Sequence, residues 1–207
     1  MAKQIILASG SETRRIMLEK AGVKFEVIKP DVDEEELKTK LVNLSMKDLG
    51  LSLAIAKAQS VSAKYPEAYT IAADQICELD GVIFDKPGSF DNCIKHLSLL
   101  RGKTHLQHCC ACVYRGDKLI AEIYQVAKLK MRELSDQEIA DYVELEKPYH
   151  SCGSYMFERN GHALFKKIEG EAETILGLPL EKILSLIGWA FDGWLYGYII
   201  NRYARSL

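Results

Sequence analysis

The stretch from Ile71 to Pro87 constrains the fold most. An apolar run, Ile71-Ala72-Ala73, leads into Asp74-Gln75 and on through Ile76-Cys77-Glu78-Leu79 to Asp80-Gly81, after which Val82-Ile83-Phe84 returns toward Asp85-Lys86-Pro87. A two-residue turn of type I′ needs positive φ at both central positions, and Asp-Gly between strand-like runs meets that need. With Asp80-Gly81 as the turn, Leu79 faces Val82, Cys77 faces Phe84 and Gln75 faces Lys86, so Asp74 lies diagonally beside Lys86 at the mouth of the ribbon. A carboxylate beside a lysine suits phosphate chemistry, the acid holding a metal or activating water while the cation meets an anion. On the hairpin alone, a solvated surface ion pair is the commoner reading.

The flanking pattern reads as mixed strands and helices. Gln4 to Ala8 predicts a strand, Glu12 to Ala21 a helix stopped by Gly22, and Val23 to Ile28 a second strand, followed by an acidic loop over Pro30 to Glu36. Ser45 to Ala63 predicts the longest helix and Asp91 to Leu100 another. Strands follow at His105 to Tyr114 and Ile120 to Arg132, with Gly116-Asp117 as the turn between them. Ser135 and Glu138 form a capping-box pattern at the head of a helix that Pro148 closes. Gly153 to Phe157 and Ala163 to Ile168 read as strands around Asn160-Gly161, and Leu180 to Ile187 as a last helix. The result is an α/β chain with a large antiparallel component.

At 207 residues, 48% hydrophobic, 27% charged and net charge -2, the composition is that of an ordinary soluble protein of one domain or two small lobes. It lacks the basic excess of a nucleic-acid binder. The N-terminal apolar run is too short for a signal peptide, and no stretch of about 18 apolar residues occurs, so the expectation is a cytoplasmic protein without a membrane partner. The cysteines at 77, 93, 109, 110, 112 and 152 do not form the paired C-x-x-C motifs of a zinc site and read as small core residues.

Other segments could carry chemistry. The turn Ser9-Gly10-Ser11 opens a helix with Arg14 and Arg15 on it, and a helix N-terminus with hydroxyls and guanidinium groups is an anion site. It is also simply a capped helix. Asp31, Asp33, Glu34, Glu35 and Glu36 form an acidic cluster that could supply oxygen ligands to a hard cation or face water. Lys57, on the long helix, is either exposed or turned toward the site. Gly102-Lys103-Thr104 copies the end of a P-loop, but the earlier glycine that motif requires is Leu97.

In order along the chain, Leu7-Ala8-Ser9-Gly10-Ser11 with Arg14-Arg15, Asp33-Glu34, Ala73-Asp74-Gln75, Lys86-Pro87, Gly102-Lys103-Thr104-His105, Cys152-Gly153-Ser154-Tyr155 and Gly177-Leu178-Pro179-Leu180 resemble the motifs of the Maf family of nucleoside triphosphate pyrophosphatases. The resemblance implies a mixed sheet flanked by helices in two lobes around a central cleft, related to the inosine triphosphatase fold and often homodimeric. Residues 1–187 would form the Maf-like domain and 188–207 an aromatic extension. It also implies hydrolysis between the α and β phosphates to a nucleoside monophosphate and pyrophosphate, with a divalent cation, magnesium or manganese. Asp74 matches the family's general base and is also a candidate metal ligand. Glu34 and Asp33 match its metal-associated acids, and Ser9, Ser11, Arg14, Arg15, Lys57 and Lys86 its phosphate-facing set.

Thr13, Gln75 and Glu158 fall on positions that set base specificity in the family. They differ from the arginine, threonine and glutamine of the branch acting on dTTP and UTP, and look more like the branch acting on 7-methyl-GTP. That branch often has an aromatic where this chain has Thr13. The alternatives are dTTP or UTP as substrate, or a nucleotide-binding regulator of septum formation.

Overall fold

The computed structural model describes residues 3–188. The aromatic extension therefore lies, beyond Gly188, outside the described residues. In chain order the elements are β1 (Ile5–Leu7), α1 (Glu12–Lys20), β2 (Glu26–Val27), α2 (Glu34–Lys40), α3 (Met46–Ser62), β3 (Tyr69–Leu79), β4 (Val82–Ile83), α4 (Phe90–Leu100), β5 (Thr104–Arg115), β6 (Lys118–Met131), α5 (Asp136–Glu146), 3₁₀ turns at Cys152–Ser154 and Asn160–Leu164, β7 (Phe165–Glu169), α6 (Ala172–Leu176) and α7 (Leu180–Leu186).

The strands form one mixed sheet in the order β2-β1-β3-β5-β6-β7, with β4 attached to β3. β1 is parallel to β2 and β3, and the other pairings are antiparallel. The hairpin forms in the expected register, with Leu79 opposite Val82 and Glu78 opposite Ile83. Asp80 at φ 52° and Gly81 at φ 83° have the positive values the turn requires. The Phe84 amide still donates to the Cys77 carbonyl at 2.8 Å, but β4 ends at Ile83 and the ribbon then opens. The expected pairing of Gln75 with Lys86 is not formed. Gln75 instead pairs across to Cys109 on β5, and Gly88 bonds to the Tyr149 carbonyl as the chain leaves the sheet.

β3 organises the core. Successive side chains of a strand point to opposite faces, so Ala72 packs with Ala54, Ala58 and Val61 of α3, and Ile76 packs with Leu49 and Leu53 of the same helix. On the other face Ile71 and Ala73 pack with residues of α1 and α7, whereas Cys77 and Leu79 pack with residues of α4 and α5. The break between those two clusters falls at Gln75. Asp74 and Gln75 thus sit where the core changes partners, one toward α3 and the other toward the opposite side.

Local signals account for the helix ends. Ser135 and Glu138 make the expected capping box, and Ser11, Ser45 and Ser89 each accept a backbone N–H at the start of a helix. Two expectations are corrected. The acidic segment is not all loop: Asp33 caps α2 by accepting the Glu36 N–H, and Glu34, Glu35 and Glu36 fill the first turn, where the helix dipole favours acids. Gly153 to Phe157 is not a strand, because Gly153 and Ser154 take φ 73° and 62°, a left-handed backbone that turns the chain. The buried cysteines behave as small hydrophobes, and burial pushes the Cys109 and Cys112 thiols up to about 12.

Candidate active site

Lys57 is the centre of the charged cluster. It lies on the sheet-facing side of α3, where it is only 5% exposed, and an unpaired ammonium there would cost several kcal/mol. Two carboxylates meet it: Asp74 Oδ1 at 2.7 Å and Glu34 Oε2 at 2.8 Å. Asp74 comes from β3 and Glu34 from the first turn of α2, so the cluster ties a helix end to the sheet. Asp74 Oδ2 accepts no hydrogen bond among the described residues. Burial alone would raise the Glu34 carboxyl. The charges of Lys57, then Lys86 and Lys38, outweigh that and hold it below its ordinary value. Lys38 is anchored to Asp85 of the hairpin's return segment, which brings α2 down over this side of the site.

The start of α1 supplies the polar wall. Ser9 Oγ accepts from the Ser11 amide at 3.1 Å and from Arg14 Nη1 at 3.2 Å, while Ser11 Oγ accepts from the Arg14 amide at 3.4 Å. Arg14 is 9% exposed, and its guanidinium donates to the Gly177 and Ala73 carbonyls, both at 2.8 Å. Those acceptors are all neutral, so among the described residues its charge is not met by a carboxylate. Thr13, one residue earlier, donates its hydroxyl to Glu158 Oε1 at 2.6 Å. Gln75 Nε2 donates to the carbonyls of Thr174 and Ile175 and to Gln107 Oε1.

The structure brings together Glu34, Lys57 and Asp74, with Lys86 close enough to act on Glu34, and separately groups Ser9, Ser11 and Arg14, and Thr13 with Glu158. It does not bring two expected residues to the cluster. Arg15 is held by Glu12 and Glu19 along the exposed flank of α1, because those acids stand one turn away on either side. Asp33 spends its carboxylate on capping α2. Gln107, whose side chain joins Gln75 to the buried Tyr155, carried no motif; its one signal was a polar residue inside the apolar strand β5.

From residue 4 to residue 189 the chain matches the Maf-like protein family. The protein belongs to the Maf family. This Maf protein is 40% identical over 185 residues to a nucleoside triphosphate pyrophosphatase of Legionella pneumophila, covering 89% of this chain and 92% of the relative. It is 38% identical over 188 residues to a 7-methyl-GTP pyrophosphatase of Colwellia psychrerythraea, at 89% and 92% coverage. Among solved structures it is similar to the Staphylococcus aureus Ham1 protein, with 20% identity, TM-score 0.45, and coverage of 77% of this chain and 90% of that one. Among the described residues, no helix of this Maf protein is long and apolar enough to cross a membrane.

Behind the Maf site lies His105, fully buried, with Nδ1 unpartnered and its imidazole lowered by burial from 6.5 to about 4. Between those values the unfolded chain binds more protons than the folded one, so stability rises with pH. The contribution is complete above about pH 6.5 and is lost as the pH falls toward 4, about 3 kcal/mol in all. Melting temperature is expected to fall by about 6–12 °C across that window. His105→Phe should remove most of the slope, and a slope unchanged in that variant would assign it to other groups.

Proposed function

We propose that this Maf protein, a nucleoside triphosphate pyrophosphatase, prefers 7-methyl-GTP and divides it into 7-methyl-GMP and pyrophosphate. The observation that carries the chemistry is the convergence of Glu34 and Asp74 on one cationic atom, Lys57 Nζ. A divalent cation, magnesium or manganese, fits this donor set. A small hard cation commonly takes one or two carboxylates from the protein and its other ligands from phosphate and water. Bound there, it would polarise the phosphoryl oxygens and stabilise the departing pyrophosphate.

The chain's own residues do the rest. Asp74 Oδ2 has the open valence to take a proton from attacking water. Lys57 and Lys86 supply positive charge to the phosphates, and the α1 N-terminus with Ser9, Ser11 and Arg14 holds the triphosphate in line. A regulator of septum formation that only bound nucleotide would need no proton acceptor beside the phosphates. We read residues 1–187 as the catalytic domain, acting in the cytoplasm on its nucleotide pool, and a homodimer as its working form.

Base choice rests on Glu158. Thr13 fixes one of its oxygens and leaves a carboxylate able to accept from the N1–H and amine of guanine, while its charge offsets that of a methylated ring. The Colwellia psychrerythraea relative named for 7-methyl-GTP supports this assignment. Thr13 counts against it, since it stands where that branch often has an aromatic platform; it also differs from the arginine of the dTTP and UTP branch, which is the second reading. The test is pyrophosphate release from 7-methyl-GTP, GTP, dTTP and UTP by the wild type and Glu158→Gln. The wild type is expected to favour 7-methyl-GTP by about tenfold or more in kcat/KM, and the variant to lose most of that preference. Preference for dTTP or UTP would keep the enzyme and overturn the base assignment.

A further inference from the structure

Gln107 is 2% exposed in the middle of β5, opposite Cys77 of β3. A buried amide is costly unless both of its ends are hydrogen-bonded. Its oxygen accepts from Gln75 Nε2 at 3.0 Å and lies 3.8 Å from the Cys152 thiol, while its nitrogen donates to the Tyr155 hydroxyl at 2.6 Å. Tyr155 has one proton to give, and His105 Nε2 lies 2.9 Å from its oxygen. Burial disfavours the charged imidazole, and since the Gln107 amide already donates to the Tyr155 oxygen, the Nδ1–H tautomer makes Nε2 the acceptor for the hydroxyl proton.

Every proton in this chain therefore points one way, from Gln75 through Gln107 and Tyr155 to His105. Turning Gln107 round would set its NH₂ group against that of Gln75. The orientation of Gln75 is fixed a second time by the Thr174 and Ile175 carbonyls at 3.2 and 2.8 Å, which belong to the last turn of α6 and have no helical donor. With its nitrogen so committed, Gln75 Oε1 accepts no hydrogen bond among the described residues. It lies against the bare Cα of Gly177, where any added Cβ would overlap it, and Arg14 is beside the same point. That is the side of α1's first turn, which also carries Thr13 and, bonded to it, Glu158.

We propose that Gln107 is a positioning residue for base selection: it holds Gln75 with its nitrogen turned into the protein and its oxygen toward the first turn of α1. The base then meets two acceptors, Gln75 Oε1 and the Glu158 carboxylate, and the site favours a base whose edge carries adjacent N–H donors. An edge with a single N–H leaves one acceptor unmet, which is where discrimination by a polar site comes from. This inference rests on the reading of Gln75 as a base-selecting residue.

The experiment measures kcat and KM for 7-methyl-GTP, GTP, dTTP and UTP with the wild type, Gln107→Met, Tyr155→Phe and Gln75→Met. Gln107→Met, close in shape but unable to hold the amide, is expected to raise KM for the guanine nucleotides about tenfold and to change dTTP and UTP by less than about threefold. The loss should fall on KM more than on kcat. Tyr155→Phe keeps the ring in the core and should shift the same ratio in the same direction by less, so the outcome does not depend on one variant folding. If Gln75→Met alters selectivity while Gln107→Met and Tyr155→Phe lower turnover alike on all four nucleotides, or leave the ratios as they are, the positioning role is overturned and the base reading survives. If Gln75→Met also leaves selectivity unchanged, the base reading falls and the positioning role with it.

Discussion

Asp74→Asn is expected to lower kcat for nucleotide hydrolysis by on the order of 10³-fold, with KM changed far less. The substitution keeps the side chain's shape beside Lys57 but removes the proton acceptor and one of the two negative charges around that ammonium. Lys57 retains Glu34 at 2.8 Å, so the buried cation is not left unpaired and the fold should survive with a lowered melting temperature. The amide cannot take a proton from water, and its oxygen is a weaker ligand for a hard cation than a carboxylate. Both roles open to Asp74 are lost together, while the α1 entry proposed to hold the phosphates is untouched. A variant keeping more than about a tenth of wild-type kcat would remove Asp74 from the chemistry.

Lys57→Met is expected to yield an enzyme whose stability answers to divalent cation. Without the ammonium, buried Asp74 loses its cation and the half-buried Glu34 beside it adds like-charge repulsion; breaking the buried Lys57–Asp74 pair costs about 3–5 kcal/mol. Turnover should fall by on the order of 10²-fold, the usual loss when a preorganised cation or donor is taken from a charged transition state. A cation that binds only the folded state restores about 2.7 kcal/mol at a hundredfold excess over its Kd, which is about 5–11 °C in Tm for a domain of this size. The wild type, with Lys57 already between the carboxylates, should gain less. Thermal melts with and without magnesium decide the matter, and equal gains in the two proteins would show that the cluster does not hold the cation.

The features legible in the sequence were those set by neighbouring residues. The Asp80-Gly81 turn fixed the register of Leu79 and Val82, and Ser135 with Glu138 marked the head of α5, because each depends on residues within a few positions. Lys57 could not be placed that way. A lysine on a helix rich in alanine and leucine turns inward only when a partner waits, and its partners come from β3 and from α2. The acidic run read as solvated loop because charge alone does not distinguish a loop from a helix's first turn; the deciding sign was Asp33 three residues before Glu36. Arg14 and Arg15 were alike as adjacent cations, and only the helix phase separates the buried one from the one bound to Glu12 and Glu19. The Gln75-Gln107-Tyr155-His105 chain joins β3, β5 and the residue that follows the 3₁₀ turn at Cys152–Ser154, so no local pattern announces it.

The most direct test of the central claim is product analysis after a single nucleotide is turned over by the purified protein with magnesium, beside Asp74→Asn. Nucleoside monophosphate and pyrophosphate are expected in equal amounts from the wild type, and almost none of either from the variant. Nucleoside diphosphate and orthophosphate, or equal turnover by both proteins, would contradict the claim.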